Sequence, residues 1–117
     1  MRGLPRERRL TNRGEFDRVH RQGSRSSDEF FVVIARPNGL EHARLGMAVG
    51  VRAAGNSVRR NRIKRLIRES FRGHQSELPP LDLVVNARPA AGKASSRQIS
   101  ASLSVHWCKV RERCARC

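Results

Sequence analysis

The chain has 117 residues and a mass of 13.2 kDa, one domain's worth, and 25 Lys and Arg outnumber 10 Asp and Glu to give a net charge of +15. Ile, Leu, Val and Phe fill 27 positions, about 23%, above the roughly 20% below which a charged chain stays disordered, so one modest core can form. No apolar run approaches the ~18 residues of a membrane span, and no apolar stretch follows the basic N-terminus as a secretory signal requires, so the expected location is the cytoplasm.

A single domain over 1–117 is expected, with 1–8 and 112–117 as poorly ordered tails. The first helix opens at Thr11 or Asn12 as N-cap, with Glu15 in capping-box position. Phe16, Val19 and His20 follow at helical spacing and Gly23 ends the segment. Ser24 to Asp28 reads as a polar link. Phe30 to Ala35 is aromatic and β-branched, a strand stopped by Pro37-Asn38-Gly39. Leu45 to Val51 reads as its hairpin partner. Gly55-Asn56-Ser57 is a turn and cap for a long helix through Arg72, which Gly73 ends and Pro79-Pro80 keeps from restarting. Leu81 to Ala87 is a buried strand, Ala90 to Ala94 a loop. Ser95 or Ser96 caps a last helix to about Arg113, with Ile99, Leu103, Trp107 and Val110 near helical spacing. The class is α+β, with a βαβ crossover possible around the long helix.

The long helix carries the most information. Ile63, Leu66, Ile67, Ser70 and Phe71 form one stripe, and Asn61, Arg65, Arg68 and Arg72 form a second, flanked by Arg62 and Lys64. Arg59 and Arg60 sit in the first turn, where the helix dipole is already positive. Arg60–Lys64, Lys64–Arg68 and Arg68–Arg72 are like-charge i, i+4 pairs, each costing a few tenths of a kcal/mol. Only Glu69 offsets them. A merely solvated face mixes both signs, so this one is read as tracking phosphates. Of the 25 cations only Lys64, Lys93 and Lys109 are lysine, and the arginine fork suits bidentate phosphate contacts. Self-repulsion also predicts a free protein that is loose at low ionic strength and tightened by anions.

The stretch Arg60 to Arg72 resembles the RNR signature of the bacterial ribonuclease P protein family. Arg8 to Gly23 resembles the family's first helix, Arg44-Leu45-Gly46 a strand start, and Leu78 to Val85 with Ala87-Arg88 its last strand. About residues 6–113 are covered in order. The resemblance implies a four-stranded mixed sheet with three helices and a left-handed βαβ crossover, like the second domain of ribosomal protein S5. The fourth strand would be short, around Arg25. It further implies a protein subunit of a ribonucleoprotein endonuclease that removes the 5′ leader of precursor tRNA. Arg59, Arg60, Asn61, Arg62, Lys64, Arg65, Arg68 and Arg72 would contact the catalytic RNA. Phe16, His20, Arg52, Arg13 and Val32 would line a cleft for the leader. Two positions depart from the pattern: His20 stands where a second aromatic is usual, and Arg52 alone remains of two consecutive cations.

No catalytic residue is assigned to the polypeptide. Its ten acids are scattered and no Asp-x-Asp or Glu-x-x-His pair appears. Mg2+ would be held mainly by RNA and substrate phosphates, and the protein would lower the Mg2+ requirement by compensating phosphate charge. Neither a membrane nor a protein partner is required. The alternatives are a structural, ribosomal-type RNA-binding protein and, more remotely, a DNA-binding regulator. His106, Cys108, Cys114 and Cys117 spell a possible zinc set, but zinc modules separate their ligand pairs by a longer loop and Trp107 and Val110 point to a helix end, so reduced thiols on a frayed tail are expected and no metal site is assigned.

Overall fold

The computed structural model describes residues 8–10 and 12–115. Helix α1 (Arg13–Gln22) is followed by β1 (Ser24–Ser27), β2 (Phe31–Pro37), β3 (Arg44–Ala48), a single turn α2 (Val51–Ala54), α3 (Ser57–His74), β4 (Leu81–Ala87) and α4 (Ser96–Ala115). The strands form one mixed sheet in the order β1-β2-β4-β3. β4 pairs antiparallel with β2 and parallel with β3, so α3 is the crossover of a βαβ unit.

The expected hairpin between β2 and β3 is not formed; β4 lies between them. The reason is in its composition. Leu81 to Val85 are all buried, so β4 needs cover on both faces and takes a central place. The segment from Ser24, read as a link, is the short fourth strand, an antiparallel edge on β2.

Cap chemistry sets the helix ends. Asn12 is the N-cap of α1, its side chain accepting from the Gly14 and Glu15 amides; Thr11 lies outside the described residues. Glu15 does not complete a capping box, because its carboxylate is drawn to Arg44 at 2.7 Å. Asn56 caps α3. Gly73 does not end that helix, which runs to His74 and then tightens into a 3-10 turn at Gln75–Glu77. Ser95 and Gln98 cap α4 reciprocally, Ser95 Oγ accepting the Gln98 amide at 3.1 Å and Gln98 Oε1 the Ser95 amide at 2.9 Å. Residues 112–115, expected in a loose tail, continue α4. Most of the segment read as a loop over Ala90 to Ala94 belongs to a 3-10 turn, Pro89–Lys93. With α2 and the Gln75–Glu77 turn, this makes three short helical turns beyond the three helices expected.

The two faces of the sheet are unequal. One is roofed by α3 and α4 around Phe31, Val33, Leu45, Leu83, Val85, Ile63, Ile67, Phe71, Leu103 and Trp107, the main core. Trp107 meets Phe71 edge to face at 6.1 Å and donates to Ser70 Oγ at 2.8 Å, which is why a serine sits in the apolar stripe of α3. Among the described residues the other face carries α1 and the segment before it, with Val19 packed on Ile34, Val84 and Leu10.

Candidate nucleic-acid interface

On the α1 face, register sorts the strands into three rows. Arg44, Asp82 and Arg36 form a charged row. Gly46, Val84, Ile34 and Arg25 form a second, which α1 covers. Ala48, Asn86, Val32 and Ser27 form a third. Ala48 and Ser27 are exposed and Val32 and Asn86 half-buried, so this row is the open floor of a cleft beside α1.

The charged row anchors the helix. Arg44 Nε and Nη2 each reach one oxygen of Asp82 at 2.8 Å, and Nη2 also meets Glu15 Oε2 at 2.7 Å. Asn38 Nδ2 donates to Asp82 Oδ1 at 3.0 Å. The bonds to Asp82, partly offset by burial, hold the guanidinium even more firmly protonated than usual. The bridge pins the first turn of α1 to β3 and β4.

Phe16 then lies over Gly46, where a side chain would collide with its ring at 2.5 Å. His20, one turn on, has Nδ1 2.9 Å from the Phe16 carbonyl and Nε2 3.2 Å from Asn86 Oδ1. Asn86 Nδ2 donates to the Val32 carbonyl at 3.2 Å. Two of the five residues assigned to the leader cleft, Phe16 and His20, thus form one wall, and a third, Val32, lies on the floor beside it. Arg13 is exposed on the helical face of Phe16 and His20 by its i, i+3, i+7 spacing. Arg52 is exposed on α2, just beyond the Ala48 end of the floor, and makes no hydrogen bond or ion pair with that wall among the described residues.

The eight cation-face residues divide by burial. Arg59, Asn61 and Arg65 are exposed, Arg65 with Glu69 3.7 Å away. Lys64 is half-buried; its burial, then Arg60 and Arg68 one turn either side, lower its pKa. Arg68 keeps its Nε buried without a partner, and Arg72 is also half-buried. Two arginines are engaged internally. Arg60 Nε donates to the Val49 carbonyl at 2.7 Å, and Arg62 Nη2 to Ala94 O and Ser96 Oγ, both at 3.1 Å. The two stripes read from spacing are therefore a buried Ile63-Ile67-Phe71 stripe and a cationic flank that is partly folded back on the protein.

Periodicity missed Asn86 and Asp82, although polar residues four apart in an apolar strand fall on one face and mark it. Of the possible zinc set, the two described side chains, His106 and Cys108, lie in different surroundings. The His106 ring is buried, with Nδ1 2.7 Å from Ser26 Oγ and Nε2 3.2 Å from Asp28 Oδ2, whereas Cys108 faces solvent. The side chains of Cys114 and Cys117 lie outside the described residues. Among the described residues no group of three His, Cys, Asp or Glu is placed to hold a metal, and no helix is long and apolar enough to cross a membrane.

Comparison with known proteins agrees with this geometry. The family model described as ribonuclease P matches residues 4–111. The ribonuclease P protein component of Methylococcus capsulatus is 44% identical over 113 residues, covering 97% of this chain and 88% of the relative. That of Thioalkalivibrio sulfidiphilus is 40% identical, covering 97% and 94%. Among solved structures, the Staphylococcus aureus RNase P protein superposes with a TM-score of 0.81 at 36% identity, covering 88% of this chain and 94% of the other. The Thermotoga maritima protein gives 0.75 at 32%, covering 85% and 94%.

Proposed function

The chain belongs to the ribonuclease P protein family, and from that premise we propose how its two surfaces divide the work of cutting the 5′ leader from precursor tRNA. The cationic face of α3 docks on the catalytic RNA subunit. The cleft beside α1 takes the single-stranded leader, with Phe16 and His20 as the stacking wall and Val32, Asn86 and Ala48 as the floor. Arg13 and Arg52 flank it for the leader phosphates. The observation that carries this reading is the charge of helix α3, seven Lys and Arg against the single acid Glu69, on a helix fixed to the sheet by its buried Ile63-Ile67-Phe71 stripe. A solvated helix has no use for that arrangement.

Hydrolysis is assigned to the RNA. Of the carboxylates beside the cleft, Glu15 and Asp82 are committed to Arg44, and Asp17, exposed on α1, belongs to no group of three His, Cys, Asp or Glu among the described residues. Mg2+ would sit on RNA and substrate phosphates, and this chain would reduce the concentration needed by neutralising phosphates that otherwise repel. Because a mature product lacks the leader, contacts in the cleft favour substrate over product. The complex would work in the cytoplasm.

Cleavage of a 5′-labelled precursor tRNA at low Mg2+, by bacterial catalytic RNA with and without the protein, tests the proposal. The protein should restore a single cut at the mature 5′ end. A shift of the RNA on a gel with cleavage unchanged would leave a structural RNA-binding protein instead.

A further inference from the structure

Arg62 looks from its spacing like one more phosphate contact, but both bonds of its Nη2 are made within the protein. They tie α3 to the point where the Pro89–Lys93 turn enters α4. The same turn is pressed on α2 from the other side: a side chain on Gly92 would meet the Ala54 carbonyl oxygen at 2.3 Å. Beneath it Ala91, Ala94 and Ile99 are fully or nearly buried. The first turn of α4 is therefore fixed relative to α3 by hydrogen bonds, close backbone packing and core burial together.

Two cations stand on this fixed piece, Lys93 and Arg97, both exposed and with no hydrogen bond or ion pair among the described residues. The sequence supplies nothing to neutralise them. Residues 42–68 and 83–111 contain no Asp or Glu at all. Arg52, Arg59, Lys93 and Arg97 are thus exposed cations on two segments that Arg62 holds together, and Arg65 between them has one acid beside it, Glu69 at 3.7 Å. A surface so strongly cationic and braced suits a polyanion of fixed shape.

We propose that the surface for the catalytic RNA continues from α3 across the Pro89–Lys93 turn onto α4, with Lys93 and Arg97 contacting RNA phosphates and Arg62 acting as the positioning residue that sets their distance from Arg59 and Arg65. The proposal rests on the reading of α3 as the helix that docks the catalytic RNA. It assigns Lys93 and Arg97 to that RNA and not to the leader, because they join α3 rather than the α1 wall.

The test is binding of the full chain to bacterial catalytic RNA across a range of KCl. Each lost phosphate contact flattens the log–log salt dependence by roughly 0.7–0.9. The Lys93→Gln/Arg97→Gln double variant should lose about 1.5 from the slope. Lys109→Gln/Arg111→Gln removes the same charge near the other end of α4 and should leave the slope as in the wild type. Arg62→Lys keeps the charge but not the fork. It should flatten the slope, and the Lys93/Arg97 substitutions should then cost less than they do in the wild type. Equal flattening in both double variants overturns the proposal, since net charge alone would explain it. So does a Lys93/Arg97 variant that binds like the wild type, or simple additivity with Arg62→Lys. A fall in the preference for precursor over mature tRNA in that variant would assign the two residues to the leader and also overturn it. If the wild-type chain itself fails to prefer catalytic RNA over another structured RNA of equal length, the functional reading falls rather than this inference.

Discussion

Gly46 lies directly under Phe16, so close that a Cβ on the glycine would stand 2.5 Å from Phe16 Cζ. The sheet thus gives up a side chain on β3 so that an aromatic ring can lie against it at the edge of the cleft. Gly46→Ala must tilt that ring or lift α1. Overpacking of this kind costs about 1–3 kcal/mol. The variant should melt several degrees lower, and its affinity for precursor tRNA should fall more than its affinity for catalytic RNA. Thermal unfolding and paired binding titrations check both.

Arg44→Met should be among the most damaging single changes outside the core. Asp82 is 5% exposed, and without Arg44 it keeps only the Asn38 amide as a described partner. Breaking a buried ion pair from one side costs about 3–5 kcal/mol. The first turn of α1 loses its tether through Glu15 at the same time. Urea unfolding measures the loss, and Arg44→Met/Asp82→Leu should recover part of it.

Acid should weaken the fold through His106. Burial, against the pull of Asp28, lowers its pKa below the usual histidine value. A base whose folded pKa is depressed binds more protons when unfolded, so stability is full above the unfolded value, near 6.5, and is lost as pH falls through the folded one. Asp28 is also lowered, chiefly because the Ser102 bond and the Phe30 and Phe31 amides outweigh its burial, so it adds a loss at still lower pH. The urea midpoint of the wild type should drop between pH 7.5 and 5.5. His106→Gln should start lower and drop less over that interval.

Lys64 is the stability cost of the RNA face made local. Burial and its neighbours Arg60 and Arg68 act against its charge. Lys64→Gln should therefore raise the melting temperature at low ionic strength and gain less from added sulfate than the wild type does. Its affinity for catalytic RNA should fall several-fold. A melting temperature that falls instead would mean that the lysine stem, not its charge, governs this position.

Much of this architecture was legible in the residues. Period 3.6 gave the buried stripe of α3, and the one-signed remainder gave its partner. Caps at Asn12, Asn56 and Ser95 marked helix starts because their side chains answer a purely local need. Strand order was not legible, because nothing local says that β4 enters between β2 and β3; only its two-sided burial decides it. The same limit hid the fates of Arg60 and Arg62. Spacing places a side chain on a face, but the carbonyls that capture these two, Val49 and Ala94, come from other elements.

His20 offers the sharpest test of the cleft. Its ring is oriented by the Phe16 carbonyl and by Asn86, so it is held in place as a platform, but imidazole presents less surface to a base than a phenyl ring does. Stacking of one base on an aromatic side chain is worth about 1–3 kcal/mol. His20→Phe should raise the preference for precursor over mature tRNA several-fold, even though it leaves Asn86 without that partner. His20→Ala should lower the preference, and Asn86→Ala should lower it less, by loosening the ring without removing it. The readout is the ratio of dissociation constants for mature and precursor tRNA in the assembled complex. Mature tRNA binding should be the same in all three variants, because it has no leader to place in the cleft. If His20→Ala weakens both tRNAs equally, the α1 wall holds the body of the tRNA and the leader lies elsewhere.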